Sequence, residues 1–238
     1  MDSDSSDTKT HRKHKKKSKD INLPNQIIPI PNADKNWHES WDSNRNMANF
    51  PHPFRMLLLA PPNTGKTTLI KNILIRSKPR FKRIILIHCS GGVSHEYDDL
   101  DAEIIEQIPA PTEFDGKDKT LVILEDINLK EMPKEQRMCL DRLMGYVSTH
   151  CNVSVCLCNQ DFYSAPPICR KLCNVVILGK VKDRDQLGSI AKKAGCNSDT
   201  FKYIMENLIQ KKHDTLCIDM TTDSPYPLRK NLFENLSP

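Results

Sequence analysis

The sequence predicts an α/β fold in which a mostly parallel central sheet is flanked by helices. Three features point there. Short apolar runs alternate with amphipathic stretches from Phe54 onward, a tight Gly-Lys-Thr loop joins one run to a helix, and another run ends in two carboxylates. At 238 residues the chain is long enough for one such domain with a real core, and too short for two with linkers. Its longest apolar runs, such as 56–60 and 84–87, fall far below the roughly 18 residues needed to span a bilayer, so no membrane partner is expected. The opening Asp2-Ser3-Asp4-Ser5 is unlike a basic patch feeding an apolar stretch, and a secreted protein is not expected.

The strand candidates in order are 56–59, 84–87, 121–124, 153–158, 175–178 and 216–220. Each is short and largely apolar, as a strand covered on both faces requires. Between them, Leu140, Leu143, Met144 and Val147 recur at helical spacing after Pro133, and Leu187, Ile190, Ala191 and Ala194 do so between Asp183 and Gly195. Phe201, Ile204, Met205, Leu208 and Ile209 form a third helical face behind Ser198. No internal repeat is present.

Residues 1–49 are rich in Ser, Asp, Lys, Asn and Pro and poor in apolar side chains, so they are expected to be a largely disordered arm, with the folded domain over 50–238. The formal net charge is +5, and residues 1–19 carry +4 of it through seven basic and three acidic side chains. The run His11-Arg12-Lys13-His14-Lys15-Lys16-Lys17-Ser18-Lys19 reads as a polycation for phosphate backbones, as a nuclear address, or as a solubilising tail, and the sequence leaves these open. Trp37 and Trp41, four apart, suit one helical turn that docks on the core or on a neighbouring subunit.

The first strand candidate runs into Ala60-Pro61-Pro62-Asn63-Thr64-Gly65-Lys66-Thr67-Thr68, which matches the Walker A pattern with Ala60 at the first glycine. Such a loop turns its backbone N–H groups around a phosphate, and the following helix N-terminus adds a favourable dipole. Lys66 is expected to reach the β- and γ-phosphates of ATP, and Thr67 to place its hydroxyl on Mg²⁺. A methyl group at position 60 is compatible with negative φ, whereas Gly65 is the position that cannot accept one.

The third strand candidate ends in Glu125-Asp126, the Walker B arrangement, which delivers acids beside the nucleotide. By register Glu125 is expected to hold the metal and Asp126 to orient or deprotonate the attacking water. The longer acid comes first, against the usual order, so the two roles stay interchangeable at this point. The fourth candidate ends in Asn159-Gln160; an amide there both donates and accepts, which suits it to hold the lytic water and to sense the γ-phosphate. Beyond it, Tyr163-Ser164-Ala165-Pro166-Pro167-Ile168-Cys169-Arg170-Lys171 brings Arg170 toward the sheet edge.

Taken in order, His52-Pro53-Phe54, the loop 60–68, the strand ending at Glu125-Asp126, the Gln160 to Arg170 stretch, Ile218-Asp219 and Tyr226-x-x-Arg229-x-Asn231-Leu232-Phe233 resemble the poxvirus-type genome-packaging ATPases of the FtsK/HerA superfamily, found in large DNA viruses, virophages and related transposons. The resemblance covers roughly 50–238 and implies a RecA-like P-loop NTPase. It further implies a homo-oligomeric ring that hydrolyses ATP at subunit interfaces and pumps double-stranded DNA through a capsid or portal vertex. In that scheme Lys66, Glu125, Asp126, Gln160 and Arg170 are the catalytic set, with Arg170 acting on the neighbour's nucleotide, and the expected location is the virion or a host-cell virus factory, with the nucleus as an alternative. DNA contacts would come from the Gly91-Gly92 loop and from 161–171.

Two other functions fit parts of the pattern. A P-loop kinase would use the same Lys66 and Mg²⁺ with a small acceptor, and an inactive nucleotide-bound scaffold would follow from Ala60 and the acid order. Nine cysteines in an unsecreted chain read as reduced thiols. Cys156, Cys158, Cys169 and Cys173 are read as apolar packing rather than as a zinc quartet, and His88, Cys89 and His95 as structural.

Overall fold

The computed structural model describes residues 45–88, 97–125, 127, 132–222 and 227–236. The six expected strands are all present: β1 (Arg55–Leu59), β2 (Arg83–His88), β4 (Thr120–Glu125), β5 (Val153–Asn159), β6 (Val175–Leu178) and β7 (Leu216–Asp219). Three more were not anticipated: β3 (Glu103–Ile105), β8 (Leu228–Lys230) and β9 (Glu234–Asn235). The nine strands form one sheet in the order β3-β2-β4-β5-β1-β6-β7-β8-β9. Strands β1 to β6 are parallel, and β7, β8 and β9 each run antiparallel to the preceding neighbour.

The helices are α1 (Lys66–Arg76), α2 (Lys134–Arg142), α3 (Pro167–Leu172), α4 (Arg184–Lys193) and α5 (Ser198–Asn207). Helix α2 continues through a π-helical stretch, Leu143–Val147, into Ser148–His150. Helices α4 and α5 begin at Asp183 and Asn197, whose side chains accept from two backbone N–H groups each, the expected use of Asp and Asn at an N-cap.

Strand parity divides the core into two layers. Leu57, Leu59, Val122, Leu124, Val155 and Leu157 point toward α2, α4 and α5. Met56, Leu58, Leu121, Ile123, Cys156 and Cys158 point toward α1 through Ile70, Ile73 and Leu74. Side chains alternate across a strand, so odd-numbered positions of β4 and even-numbered positions of β5 share the α1 face. Cys156 and Cys158 therefore lie side by side on that face, Sγ to Sγ 3.8 Å, while Cys169 and Cys173 are buried in the opposite layer. The sheet separates the two pairs, and all four are packing residues.

Residues 45–49 pack against the sheet domain. Arg45 pairs with buried Asp219, and Ala48 is fully buried. The other residues of the expected arm, with Trp37 and Trp41, lie outside the described residues. The His52-Pro53-Phe54 lead-in is structural: the His52 imidazole joins Ser154 Oγ (2.9 Å) and Asn152 Oδ1 (2.6 Å), and Phe54 meets Phe50 at a tilt and Phe81 edge-on.

Candidate functional site

Three adjacent strands end at the candidate site because β5 lies between β4 and β1. Glu125 is in register with Cys158, and Leu59 with Asn159, so the acid, the residues after β5 and the loop after β1 arrive at one sheet edge. Residues Leu121, Ile123 and Glu125 alternate onto the α1 face, which aims the last of them at the phosphate loop instead of into the other layer.

The loop is shaped by its own residues. Asn63 and Gly65 adopt positive φ, 57° and 93°, and Gly65 serves as the N-cap of α1. Any side chain at 65 is strained there, and a Cβ would sit 3.3 Å from His213 Nδ1. Thr64 Oγ1 donates to the Pro61 carbonyl at 2.6 Å. The Lys66 ammonium bends back to the carbonyls of Ala60 and Pro61, at 3.3 and 3.5 Å. Ala60 keeps negative φ, and its methyl is accepted because Gly179, at the end of β6, leaves the space: a Cβ at 179 would lie 2.8 Å from that of Ala60.

A cavity of about 580 Å³ opens over this loop, and Lys66, Thr67, Thr68, Glu125 and Gln160 all line it. Expected from the sequence to share one centre, these residues are brought together by the fold. Gln160 is exposed at the rim, whereas Glu125 is 5% exposed. Asp126 lies outside the described residues. Arg170 sits elsewhere: on α3, its guanidinium lies over the rings of Phe162 and Tyr163, at 5.3 and 5.5 Å, and it does not line the cavity of its own chain.

Three further residues at the site carry no signal in the sequence. Lys71, five residues along α1 from Lys66, lines the cavity and pairs with Asp99. His213, in the α5–β7 loop, lines it as well, with Nδ1 3.0 Å from the Thr64 carbonyl. Tyr97 is 1% exposed and lays its hydroxyl beside Thr67 and Glu125, near enough to feel both, without an aligned hydrogen bond. Burial above all, with the Glu125 carboxylate beside it, pushes this phenol far above its ordinary pKa, so it stays neutral. His88, read as structural, ends β2 in register with Glu125. The Cys158 thiol is pushed up by its hydrogen bond with Cys156, then by burial and by the Glu125 charge; it too is neutral.

Chemically, the site joins a loop of backbone amides, two ammonium groups, one buried carboxylate and an amide at the rim. The Thr67 hydroxyl and the Glu125 carboxylate are hard oxygen donors beside a phosphate-shaped loop, and this donor set fits a magnesium ion.

No protein-family model matches the chain, and no curated sequence matches it. Solved structures do. The genome packaging NTPase B204 from Sulfolobus turreted icosahedral virus 2, in complex with AMPPCP, superposes with a TM-score of 0.54 at 14% identity, over 75% of this chain and 96% of that one. B204 from Sulfolobus turreted icosahedral virus, a DNA-packaging ATPase, gives 0.54 at 15% identity, over 75% and 97%. The pCW3 conjugation coupling protein TcpA, bound to ATPγS, gives 0.50 at 16% identity, over 83% and 68%. The fold is thus the RecA-like P-loop fold of these neighbours, as the sequence predicts.

Proposed function

We propose that the chain is an ATP hydrolase that drives double-stranded DNA into a capsid as a homo-oligomeric ring. The observation that carries the hydrolase reading is the convergence of Lys66, Thr67, Glu125 and Gln160 on one cavity. The packaging reading is supported by the ordered motif set and by neighbours whose own names describe genome packaging and conjugative coupling.

In this reading the backbone amides of 60–65 and the α1 N-terminus hold the phosphates, and Lys66 leaves the loop carbonyls for the β- and γ-phosphate oxygens. Thr67 and Glu125 hold Mg²⁺, which neutralises charge on those oxygens when bound. Asp126 positions or deprotonates the water, and Gln160 holds that water at the cavity rim. Arg170, which lies over Phe162 and Tyr163 and does not line its own cavity, serves the γ-phosphate of the adjacent subunit in this reading. The setting is a virion or virus factory, with a portal vertex as the docking partner.

Phosphate release with ATP and Mg²⁺, measured with and without duplex DNA, tests the proposal. Turnover stimulated by duplex DNA without any small acceptor, and abolished in Lys66→Ala, is the expected result. Turnover that needs an acceptor makes the chain a kinase, and release from wild type no faster than from Lys66→Ala leaves only a nucleotide-bound scaffold.

A further inference from the structure

The two hard oxygen donors of the site come from different elements. Thr67 stands in the first turn of α1 and Glu125 ends β4, so their placement depends on what holds that helix end to that strand end. The Tyr97 hydroxyl lies beside both. Tyr97 follows β2 by nine residues and enters the α1 layer of the core with Ile70, Leu86, Ile123 and Cys158, fully buried. Its segment is fastened to the helix by the Lys71–Asp99 pair, and Leu100 N–H donates to the Tyr97 carbonyl at 2.9 Å. Packing and these bonds hold the ring in place.

The hydroxyl is the odd atom of its layer. The side chains around it are mostly hydrocarbon and thiol, and it makes no aligned hydrogen bond among the described residues, although a carboxylate stands close by. A buried O–H without a partner is unfavourable, and phenylalanine would fill the same space without that penalty. Core packing therefore accounts for the ring and leaves the oxygen unexplained. Nor does Tyr97 line the phosphate cavity, so its hydroxyl reaches a nucleotide only through Glu125 or Thr67. Of the two, the carboxylate is the stronger acceptor. A carboxylate that binds a metal through one oxygen can accept a hydrogen bond on the other, and metal ligands are commonly oriented by such an outer partner.

We propose that Tyr97 is a positioning residue for the metal: its hydroxyl donates to Glu125 when that carboxylate takes the metal, and so holds the carboxylate toward Thr67. The assignment rests on the nucleotide reading above and adds what keeps its metal ligand in place.

Equilibrium binding of ATP to the full chain, once with Mg²⁺ and once in EDTA, tests it. Tyr97→Phe is the variant, because it removes one oxygen and keeps the ring. Wild type is expected to bind ATP more tightly with Mg²⁺ than in EDTA. Tyr97→Phe is expected to lose about tenfold in affinity with Mg²⁺, the lower end of what an outer partner of a metal ligand contributes, and nothing in EDTA. In a chain that already carries Glu125→Gln, the same substitution is expected to cost nothing further, because the two side chains act as a pair. Without metal, Tyr97→Phe is expected to melt no lower than wild type, since no hydrogen bond is lost. Unchanged affinity in Tyr97→Phe with Mg²⁺, an equal loss with and without metal, a full loss beside Glu125→Gln, or a lower metal-free melting temperature overturns the assignment alone. Wild type that binds ATP no better with Mg²⁺ than in EDTA overturns the metal reading, wild type that binds no ATP overturns the nucleotide reading, and either result takes this assignment with it.

Discussion

At Ala60 the phosphate loop carries a methyl group where the Walker pattern asks for glycine, and the space for it is supplied 119 residues later by Gly179. A Cβ at 179 would stand 2.8 Å from the Ala60 Cβ, closer than side-chain carbons approach. Gly179→Ala is therefore expected to destabilise the domain by about 1–3 kcal/mol, the usual cost of overpacking, and to weaken ATP binding through a displaced loop. Ala60→Gly in the same chain removes the obstacle and is expected to restore both. Thermal unfolding and nucleotide titration of the two single variants and the double variant check this, and additive losses would show that the two positions do not compete for space. Such a pair is hidden in the sequence: Ala60 is legible against the motif, but Gly179 looks like an ordinary strand-end glycine. The same holds for Tyr97 and His213. The first follows a strand by nine residues, and the second sits in Gln210-Lys211-Lys212-His213, which reads as a solvated loop. Lys66 and Thr67 were legible from the Gly-Lys-Thr loop pattern, and Glu125 and Gln160 because each stands at the end of an apolar run, and parallel strands put their ends at one edge.

Among the elements, the long parallel strands declared themselves by composition, and the short ones could not. Strand β3 has three residues, is mostly exposed, and lies in an acidic stretch from Asp98 to Glu106; β8 and β9 have three and two. Runs so short carry no period to read. Their stability comes from tertiary partners, above all around Asp219 at the end of β7. Its carboxylate meets Arg229 at 3.2 Å and also Arg45, and accepts from Thr221 N–H and Oγ1–H at 3.0 and 2.6 Å. Arg229 is 2% exposed and stacks over Phe50. The late motif is thus structural in part: Asp219 and Arg229 secure β7 to β8. Arg229→Met leaves a buried carboxylate with one guanidinium fewer, and a loss of about 3–5 kcal/mol is expected, as for other broken buried pairs. Denaturant unfolding measures it, and a loss below about 1 kcal/mol would mean that Arg45 alone satisfies Asp219.

At the scale of the whole molecule, no arginine among the described residues lines the phosphate cavity, and Arg170 lies outside it. Lys66, Thr67 and Glu125 converge, whereas Arg170 lies on α3 above Phe162 and Tyr163 and reaches none of them. If Arg170 serves a neighbour's nucleotide, each working site is made of two chains, one giving the phosphate loop and the other the guanidinium. Lys66→Ala then fails as a donor of the loop but still presents its arginine, and Arg170→Ala has the opposite defect. Each variant alone is expected to lose about 10³-fold or more in turnover. Mixed in equal amounts before assembly, they are expected to regain about a quarter of wild-type turnover, because in a head-to-tail ring one junction in four pairs an intact loop with an intact arginine. Phosphate release from the mixture measures this directly. Recovery is a positive signal that neither misfolding nor a local defect can produce, and a mixture as inactive as its components would place the arginine's role within its own subunit.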